Sequence, residues 1–242
     1  RNFERLSKEN KKYGWGIQYS DSEQTIRDRF TTAKKWFSEN KEFNLEQAIN
    51  IKMIKHNYQS IEGWFNMEKQ YLELLDATPE KGIFVELGAY KGKSTSFIVT
   101  EIVNRNRNIQ FYTVDTFEGD SGSTDKKEVE AYKQVNVSKM YEEFKENTKH
   151  LEDYFHTIIG YSNKSSETFA DNSVDVIFLD AGHSASAVLA DLKAWYPKMK
   201  NNSIMSGHDY NSWAGVKTSV LEFFGKEPDK VENDCWFIKI KK

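Results

Sequence analysis

The segment that most constrains the fold is a short apolar run followed by a pair of glycines, GIFVELGAYKG at 82–92. A nearly continuous apolar run of this length is typical of a parallel strand that is buried on both faces. The run ends in Glu86 and Gly88, and residues 94–103 then have the pattern of a helix. A strand, a glycine turn and a helix in this order indicate one unit of an open α/β sheet.

The same alternation continues to the C-terminus. Further strands are predicted at 109–115, 155–160, 174–180, 203–209 and 235–241, and helices at 138–150, 165–170, 184–196 and 213–224. Parallel strands joined by right-handed crossovers place helices on both faces. These patterns mark six strands; we predict an α/β fold with a Rossmann-like, seven-stranded, mostly parallel sheet, of which the seventh strand has no recognisable pattern. Residues 21–77 have a helical pattern, so we expect an N-terminal helical extension or lid over 1–78 and a sheet domain over 79–242.

Composition excludes several classes of protein. The 242 residues carry a formal net charge of −3, which does not suit a nucleic-acid partner. No apolar run approaches the roughly 20 residues of a membrane helix, so we expect no membrane span. A single cysteine, Cys235, permits no internal disulfide and fits a reducing, cytoplasmic setting. Because the chain begins with Arg1 rather than Met, we expect it to be a fragment or a trimmed form of the protein.

Polar residues recur where the predicted strands end. They are Glu86 with Gly88, Asp115, Gly160 with Tyr161, Asp180, and His208 with Asp209. In an open α/β sheet, ligands bind beyond the carboxyl ends of the strands, at the point where the strand order reverses. The sequence therefore predicts one crevice lined by these residues.

The glycine loop does not match the common phosphate-binding motifs. A P-loop needs four residues between its first glycine and its G-K-[ST] triplet, whereas Gly88 and Gly92 enclose three. A dinucleotide fingerprint also fails, because Ala89 and Tyr90 follow Gly88 without a second glycine. The remaining pattern suits a ligand carboxylate at a helix N-terminus. The alternative is a turn that needs glycine only for its backbone.

The full set of motifs points to one family. FVELGAYKGKST (84–95), IEGWF (61–65), VDTFEGD (114–120), VIFLDAGHS (176–184), GHDY (207–210) and GVKTSVLEFF (215–224) occur in this order. Together they resemble class I S-adenosylmethionine-dependent O-methyltransferases, in particular the metal-dependent catechol-type and sugar-type (macrocin- and glycan-type) families. Residues 79–242 would then be the S-adenosylmethionine-binding methyltransferase domain.

The resemblance implies a set of cofactor contacts. Glu86 and the backbone at Gly88 would hold the methionine amino end, and Ser94 its carboxylate. Asp115 would accept both ribose hydroxyls, and Tyr161 and Ser162 would border the adenine; a simple turn acid is the alternative for Asp115. The remaining cofactor-binding positions implied are Ala89, Tyr90 and Asp180.

A divalent metal is also implied. Asp180, His208 and Asp209 match the family's metal positions, where the pair at 208–209 is usually Asp-Asn or Asp-Asp. His208 departs from that pattern, and an imidazole suits Mn²⁺ or Fe²⁺ better than Mg²⁺, so the choice of metal (Mg²⁺ or Mn²⁺ in the first place) remains open. A site in which His208 is not a ligand and a site without metal also remain open. His183 stands where catechol-type enzymes carry a lysine base, so His183 and Asp180 are the predicted catalytic residues. Alternatively, His183 orients Asp180 or caps the next helix.

The predicted substrate is a sugar hydroxyl, on a glycan or a glycosylated small molecule. Tyr210, Asn211 and Trp213 follow the metal pair and are predicted substrate contacts, with core packing as the alternative. Trp64 and the Tyr13–Trp15 segment are predicted to lie over the substrate, and a homo-oligomer is possible.

Three other functions remain open at this stage. They are a P-loop-like phosphotransferase, a cephalosporin-hydroxylase-like protein on the same fold, and a non-catalytic scaffold.

Overall fold

The structure is a computed structural model that describes residues 54–119 and 137–242, together with Lys35. Residues Lys55–Lys242 form one compact unit. The helices predicted between 21 and 53 and the Tyr13–Trp15 segment lie outside the described residues. The predicted domain boundary at 78/79 stays a prediction.

The described residues form an α/β sheet whose elements are numbered here in chain order. The strands are β1 (Ile83–Leu87), β2 (Gln110–Asp115), β3 (His156–Ile159), β4 (Val174–Leu179), β5 (Met199–Gly207), β6 (Lys230–Glu232) and β7 (Cys235–Lys239). The α-helices are α1 (Glu68–Ala77), α2 (Lys93–Asn104), α3 (Met140–Thr148), α4 (Ser162–Ser165), α5 (Ala185–Trp195) and α6 (Ala214–Phe224). Short 3₁₀ helices cover Tyr58–Ser60, Val137–Lys139, Lys149–Tyr154, Ser166–Thr168 and Tyr196–Lys198.

The seven strands lie in the order β3-β2-β1-β4-β5-β7-β6. Strands β1 to β5 pair in parallel, whereas β7 runs antiparallel to both β5 and β6. The strand order reverses between β1 and β4, which is the switch point at which open α/β sheets bind ligands. The predicted seven-stranded, mostly parallel sheet is confirmed.

Alternate side chains of the strands face two different sets of helices. On one face, Val85, Leu87 and Ile177 belong to a core cluster that includes residues of α5 and α6. On the other face, Phe178 packs on Tyr71 of α1, at 4.7 Å between ring centroids. Burial on both faces explains why β1 and β4 are nearly continuous apolar runs.

Two local predictions were wrong in detail. Residues 61–67 are not helical, although the predicted helical span covers them. Their carbonyl groups bond to distant side chains, because Lys93 Nζ donates to Gly63 and Asn233 Nδ2 donates to Asn66. The short helix expected at 165–170 begins at Ser162 instead, where the Tyr161 carbonyl accepts the first helical hydrogen bonds.

Among the described residues, the structure contains no helix that is both long and apolar enough to cross a membrane.

Candidate functional site

The glycine loop is locked against the end of β4 at the switch point. Gly88 has φ of +93°, and a Cβ atom built on it would lie 2.0 Å from the carbonyl oxygen of Asp180. The Gly88 N–H donates to Val114 and the Asp180 N–H donates to Leu87, at 2.9 and 2.8 Å. Only glycine fits this crossing, because any side chain would push the loop away from β4.

Asp115 organises the same loop from the end of β2. Its Oδ2 accepts the backbone N–H groups of Ala89 (2.7 Å) and Tyr90 (2.8 Å), and its Oδ1 accepts that of Phe117 (2.7 Å). The carboxylate is half-buried and lies at the strand end, where the sequence predicted it. The three bonds leave Oδ1 with capacity for a further donor.

Glu86 lies beneath the loop in the core. It is fully buried, and its carboxylate accepts hydrogen bonds from the hydroxyls of Tyr71 (2.9 Å), Thr113 (2.8 Å) and Thr95. Burial raises the pKa of Glu86, while these hydroxyls and that of Ser94 act to lower it. The structure thus places Glu86 as a support for the loop, and its predicted contact with a methionine amino group stays a prediction. Ser94, beside it, lies in the first turn of α2.

We expect Tyr71→Phe to lower the free energy of unfolding by about 1–3 kcal/mol, because a buried carboxylate loses a hydrogen-bond donor. Thermal denaturation checks this. Tyr112→Phe is the matched control, because its hydroxyl donates to Gln110 at the exposed surface, where a loss of about 0.5 kcal/mol or less is expected. Equal effects in the two variants would contradict the assigned role of Tyr71.

The turn after β3 continues the crevice beyond Asp115. The Gly160 N–H donates to the Asp115 carbonyl at 3.0 Å, which holds the turn beside the predicted ribose position. Tyr161 presents a side chain that is 65% exposed. Ser162 Oγ donates to Asp191 at 2.6 Å. Tyr161 and Ser162 therefore directly follow the residue that is bonded to Asp115, and their predicted contact with adenine stays a prediction.

A cluster of acids and imidazoles follows β4 and β5. One ligand atom from each of Asp180, His183 and Asp209 lies within 4.8 Å of the other two. His183 Nε2 is 2.8 Å from Asp209 Oδ2 and 3.8 Å from Asp180 Oδ1. His208 Nδ1 is 3.3 Å from Asp209 Oδ1 and 3.9 Å from Asp180 Oδ1. The structure brings together all three predicted metal positions and places His183, the predicted base, among them.

The charges of this cluster shift the pKa values of its members. Burial acts to raise the pKa of Asp209, but hydrogen bonds from His183 and His208 outweigh it and hold that pKa well below its usual range. Burial acts to lower the pKa of His208, but the hydrogen bond to Asp209 and the charges of Asp180 and Asp234 raise it overall. The cluster therefore keeps an ionised carboxylate between two imidazoles.

Asp234 is a site residue that the sequence reasoning missed. It groups with His208 and Asp209 as a second set of possible ligands. It also accepts the backbone N–H of Asn211 at 2.6 Å and the hydroxyl of Ser212, so the β6–β7 turn fixes the loop after β5. The only signal in the sequence was the Asn-Asp pair before β7, which is typical of a tight turn.

The three predicted substrate contacts are in different surroundings. Tyr210 is 2% exposed and donates its hydroxyl to Glu227 at 2.7 Å, so it packs in the core, which is the alternative given for it, and its role as a substrate contact stays a prediction. Asn211 is exposed. Trp213 is half-buried and stacks on His183, with ring centroids 4.8 Å apart.

The loop before α1 meets the glycine loop at the rim of the crevice. Trp64 is 70% exposed, and its ring lies 5.6 Å from that of Tyr90. Glu62 accepts from Tyr90 Oη at 3.3 Å and from Lys91 Nζ at 2.7 Å. These contacts hold Trp64 beside the glycine loop, and its predicted place over the substrate stays a prediction.

A surface cavity lies away from this crevice. Its volume is about 550 Å³, and Leu74, Ala77, Ile204 and Phe237 contribute to its walls. None of the residues at the carboxyl ends of β1, β2 or β4 lines it. The chemistry of the strand ends, rather than this cavity, defines the candidate site.

A sheet of this order, with a glycine loop at its switch point and an acid at the end of β2, defines a Rossmann-like class of α/β fold. A family model described as a methyltransferase domain matches residues 85–210, which is just over half of the chain. The chain belongs to this methyltransferase family. The membership confirms the resemblance seen in the motifs and favours it over the phosphotransferase alternative.

Solved structures share the fold at low sequence identity. The O-methyltransferase NovP is 18% identical, over 73% of this chain and 78% of its own, with a TM-score of 0.57. CalS11, a TDP-rhamnose 3′-O-methyltransferase of calicheamicin biosynthesis, is 16% identical over 92% and 97% of the two chains, with a TM-score of 0.50. Cofactor-bound Rv0187 is 12% identical over 74% and 83%, with a TM-score of 0.51. No curated protein matches the sequence significantly.

Proposed function

We propose that this protein transfers the methyl group of S-adenosylmethionine to a sugar hydroxyl, with the help of a divalent cation. The observation that carries the proposal is the direct contact between two halves of one site. The glycine loop, which Asp115 holds, lies against the backbone of Asp180, the first residue of the acid–imidazole cluster. A methyl donor bound at the glycine loop and a methyl acceptor bound at the acid–imidazole cluster would therefore be neighbours.

The residues at the first half fit S-adenosylmethionine. Asp115 has acceptor capacity at the end of β2 for a ribose hydroxyl, and the exposed ring of Tyr161 offers a flat surface for adenine. Ser94 lies in the first turn of α2, where the N-terminal partial positive charge favours a carboxylate.

The residues at the second half fit Mg²⁺ or Mn²⁺. Asp180 and Asp209 supply hard carboxylate oxygens, and His208 supplies an imidazole nitrogen that suits Mn²⁺ in particular. When bound, S-adenosylmethionine supplies an electrophilic methyl group, and the cation lowers the pKa of the acceptor hydroxyl.

The chain itself has two tasks in this reaction. Its loop and strand ends align the acceptor oxygen with the methyl group for an in-line displacement, which converts a bimolecular encounter into a positioned one. The second task is to accept the hydroxyl proton. We assign it to His183 because its ring is held by Trp213, and because the Asp209 carboxylate, to which its Nε2 donates, would stabilise the imidazolium that forms.

Two observations support a sugar as the methyl acceptor. The motifs IEGWF, AGHS and GHDY resemble those of sugar-type enzymes, and CalS11, which shares the fold, acts on TDP-rhamnose by its description. Trp64, exposed beside the glycine loop, and the exposed Asn211 after the metal pair would offer one aromatic and one amide group to the methyl acceptor. Such groups suit the apolar faces and the hydroxyls of a pyranose.

The test is calorimetric titration of S-adenosylhomocysteine into the purified chain, with and without Mg²⁺ or Mn²⁺. Micromolar binding is the expected result. The absence of binding under every metal condition would contradict the proposed cofactor and would favour a scaffold function on this fold.

The proposed metal site is tested separately by the Asp209→Asn substitution. We expect Mn²⁺ affinity to fall at least tenfold, because changes even outside the ligand shell cost about 10- to 100-fold. Asparagine tolerates the left-handed backbone at this position, where φ is 62°, so the fold should be retained. Asp175→Asn, at the opposite end of β4, is the control. Unchanged Mn²⁺ binding in Asp209→Asn, or equal losses in both variants, would contradict the assigned metal site.

A further inference from the structure

Helix α5 carries a buried acid that the proposed chemistry does not use. Asp191 is 3% exposed and lies among apolar neighbours on the same helix, Val188, Leu192 and Trp195. Its pKa is affected only by burial and by a hydrogen bond from Ser162, with no contribution from a charged group. A buried carboxylate without a cation costs folding free energy, and an apolar residue at this position would avoid that cost.

Asp191 and Trp195, which follows it by one helical turn, both bind Ser162. Ser162 Oγ donates to Asp191 Oδ1 at 2.6 Å, and Trp195 Nε1 donates to the Ser162 carbonyl at 3.0 Å. Residues four apart lie on the same face of a helix, so Asp191 and Trp195 form a two-point clamp. Both the side chain and the backbone of Ser162 are thereby fixed.

The clamped residue ends the turn that lies next to Asp115 and begins α4. The chain runs from β3 through Gly160, whose N–H donates to the Asp115 carbonyl, to the exposed Tyr161 and then to Ser162. This turn has one anchor on β2 and a second anchor on α5. Without the second anchor, Tyr161 would be held by the Gly160 hydrogen bond to β2 and by the local hydrogen bonds of α4 to its own carbonyl.

We propose that Asp191 is a positioning residue of the cofactor site, which acts through Ser162 to hold the β3–α4 turn against the adenine end of the bound cofactor. The inference rests on the proposed S-adenosylmethionine function and extends it to a residue outside the crevice. Burial raises the pKa of Asp191 to about 7, and the Ser162 hydrogen bond opposes that rise. The acid therefore lowers stability near neutral pH, where an unfolded chain would carry it fully ionised and solvated.

The role predicts opposite effects of Asp191→Asn on stability and on binding. At pH 7.5 we expect a melting temperature equal to or above that of the unaltered protein, because the amide is not desolvated as an ion. We expect S-adenosylhomocysteine to bind at least tenfold more weakly by calorimetry, because the amide is a poorer acceptor for Ser162 than a carboxylate. A purely structural role would lower both quantities together.

Two further variants and one control complete the test. Ser162→Ala should weaken binding to a similar extent, and the double variant should be no weaker than either single one, because both changes remove the same contact. Asp175→Asn is the matched control, since Asp175 is another buried carboxylate (8% exposed) that accepts a backbone N–H, at the far end of β4. Its affinity for S-adenosylhomocysteine should be unchanged.

The possible failures are distinguishable. Unchanged affinity in Asp191→Asn or in Ser162→Ala, additive losses in the double variant, or a lowered melting temperature together with weaker binding would each overturn the positioning role while leaving the cofactor intact. Absence of binding to the unaltered protein would instead overturn the proposed function, and this inference with it.

Discussion

Replacing Gly88 with alanine should abolish binding of S-adenosylhomocysteine and lower the melting temperature by about 10 °C. The added Cβ would lie 2.0 Å from the Asp180 carbonyl oxygen and 2.6 Å from its carbon, both of them backbone atoms that cannot rotate away. The φ of +93° adds strain for any residue with a side chain. Together these effects cost roughly 3–5 kcal/mol, at about 2–4 °C per kcal/mol for a chain of this size.

Gly225→Ala separates the cost of the steric clash with Asp180 from the cost of the left-handed backbone. Gly225 ends α6 with φ of +65°, and a Cβ atom there meets nothing within 4 Å. We expect a loss of about 1 kcal/mol from the backbone alone and no change in binding. Similar effects of the two substitutions in calorimetry and thermal denaturation would show that the contact between Gly88 and Asp180 is not what holds the two halves of the site together.

Asp115→Ala should weaken S-adenosylhomocysteine binding at least 100-fold. The change removes the carboxylate assigned to the ribose hydroxyls, and hydrogen bonds to a charged group are worth about 1.5–3 kcal/mol each. It also leaves the N–H groups of Ala89, Tyr90 and Phe117 without their acceptor, so the glycine loop loses its shape. A hundredfold change corresponds to about 2.8 kcal/mol, which is within the expected range.

Asp175→Ala is the control for this substitution. Its carboxylate also accepts a backbone N–H, from Ile83 at 2.9 Å, but Asp175 lies at the amino end of β4, opposite to the site. We expect reduced stability and unchanged affinity in that variant. Calorimetry that shows Asp115→Ala with near-normal affinity would remove Asp115 from the cofactor site and reduce its role to that of a turn acid.

The main elements of the fold could be predicted because their signals are local. Strands β1 and β4 are apolar runs bounded by turns, and α5 begins after Ser184, whose hydroxyl accepts from the Ala187 N–H as an N-cap. Strand β6 was missed because its three residues are mostly exposed and show no apolar pattern. Its position depends on pairing with β7. That pairing is a contact between two segments, and neither segment shows it in its own sequence.

The candidate site was predictable in outline for a similar reason. Residues that follow parallel strands must meet at one edge, so Gly88, Asp115, Asp180 and Asp209 could be placed together from sequence. The burial of Tyr210 could not, because the same aromatic residue after a strand suits either a crevice or a core. The contact of Asp234 with the loop after β5 was also out of reach, since it joins residues more than twenty positions apart.

The sequence alone determined the class of fold, the family and the edge of the sheet at which the site lies, because these depend on periodicity and on the order of short motifs. The tertiary structure decided which polar side chains are buried behind the site and which are exposed in the crevice. Glu86 was drawn beneath the loop by Tyr71 and Thr113, and Asp191 was set against Ser162 across 29 positions of chain. Such partnerships arise only when the sheet brings distant residues together and excludes water from between them, and no local pattern encodes that meeting.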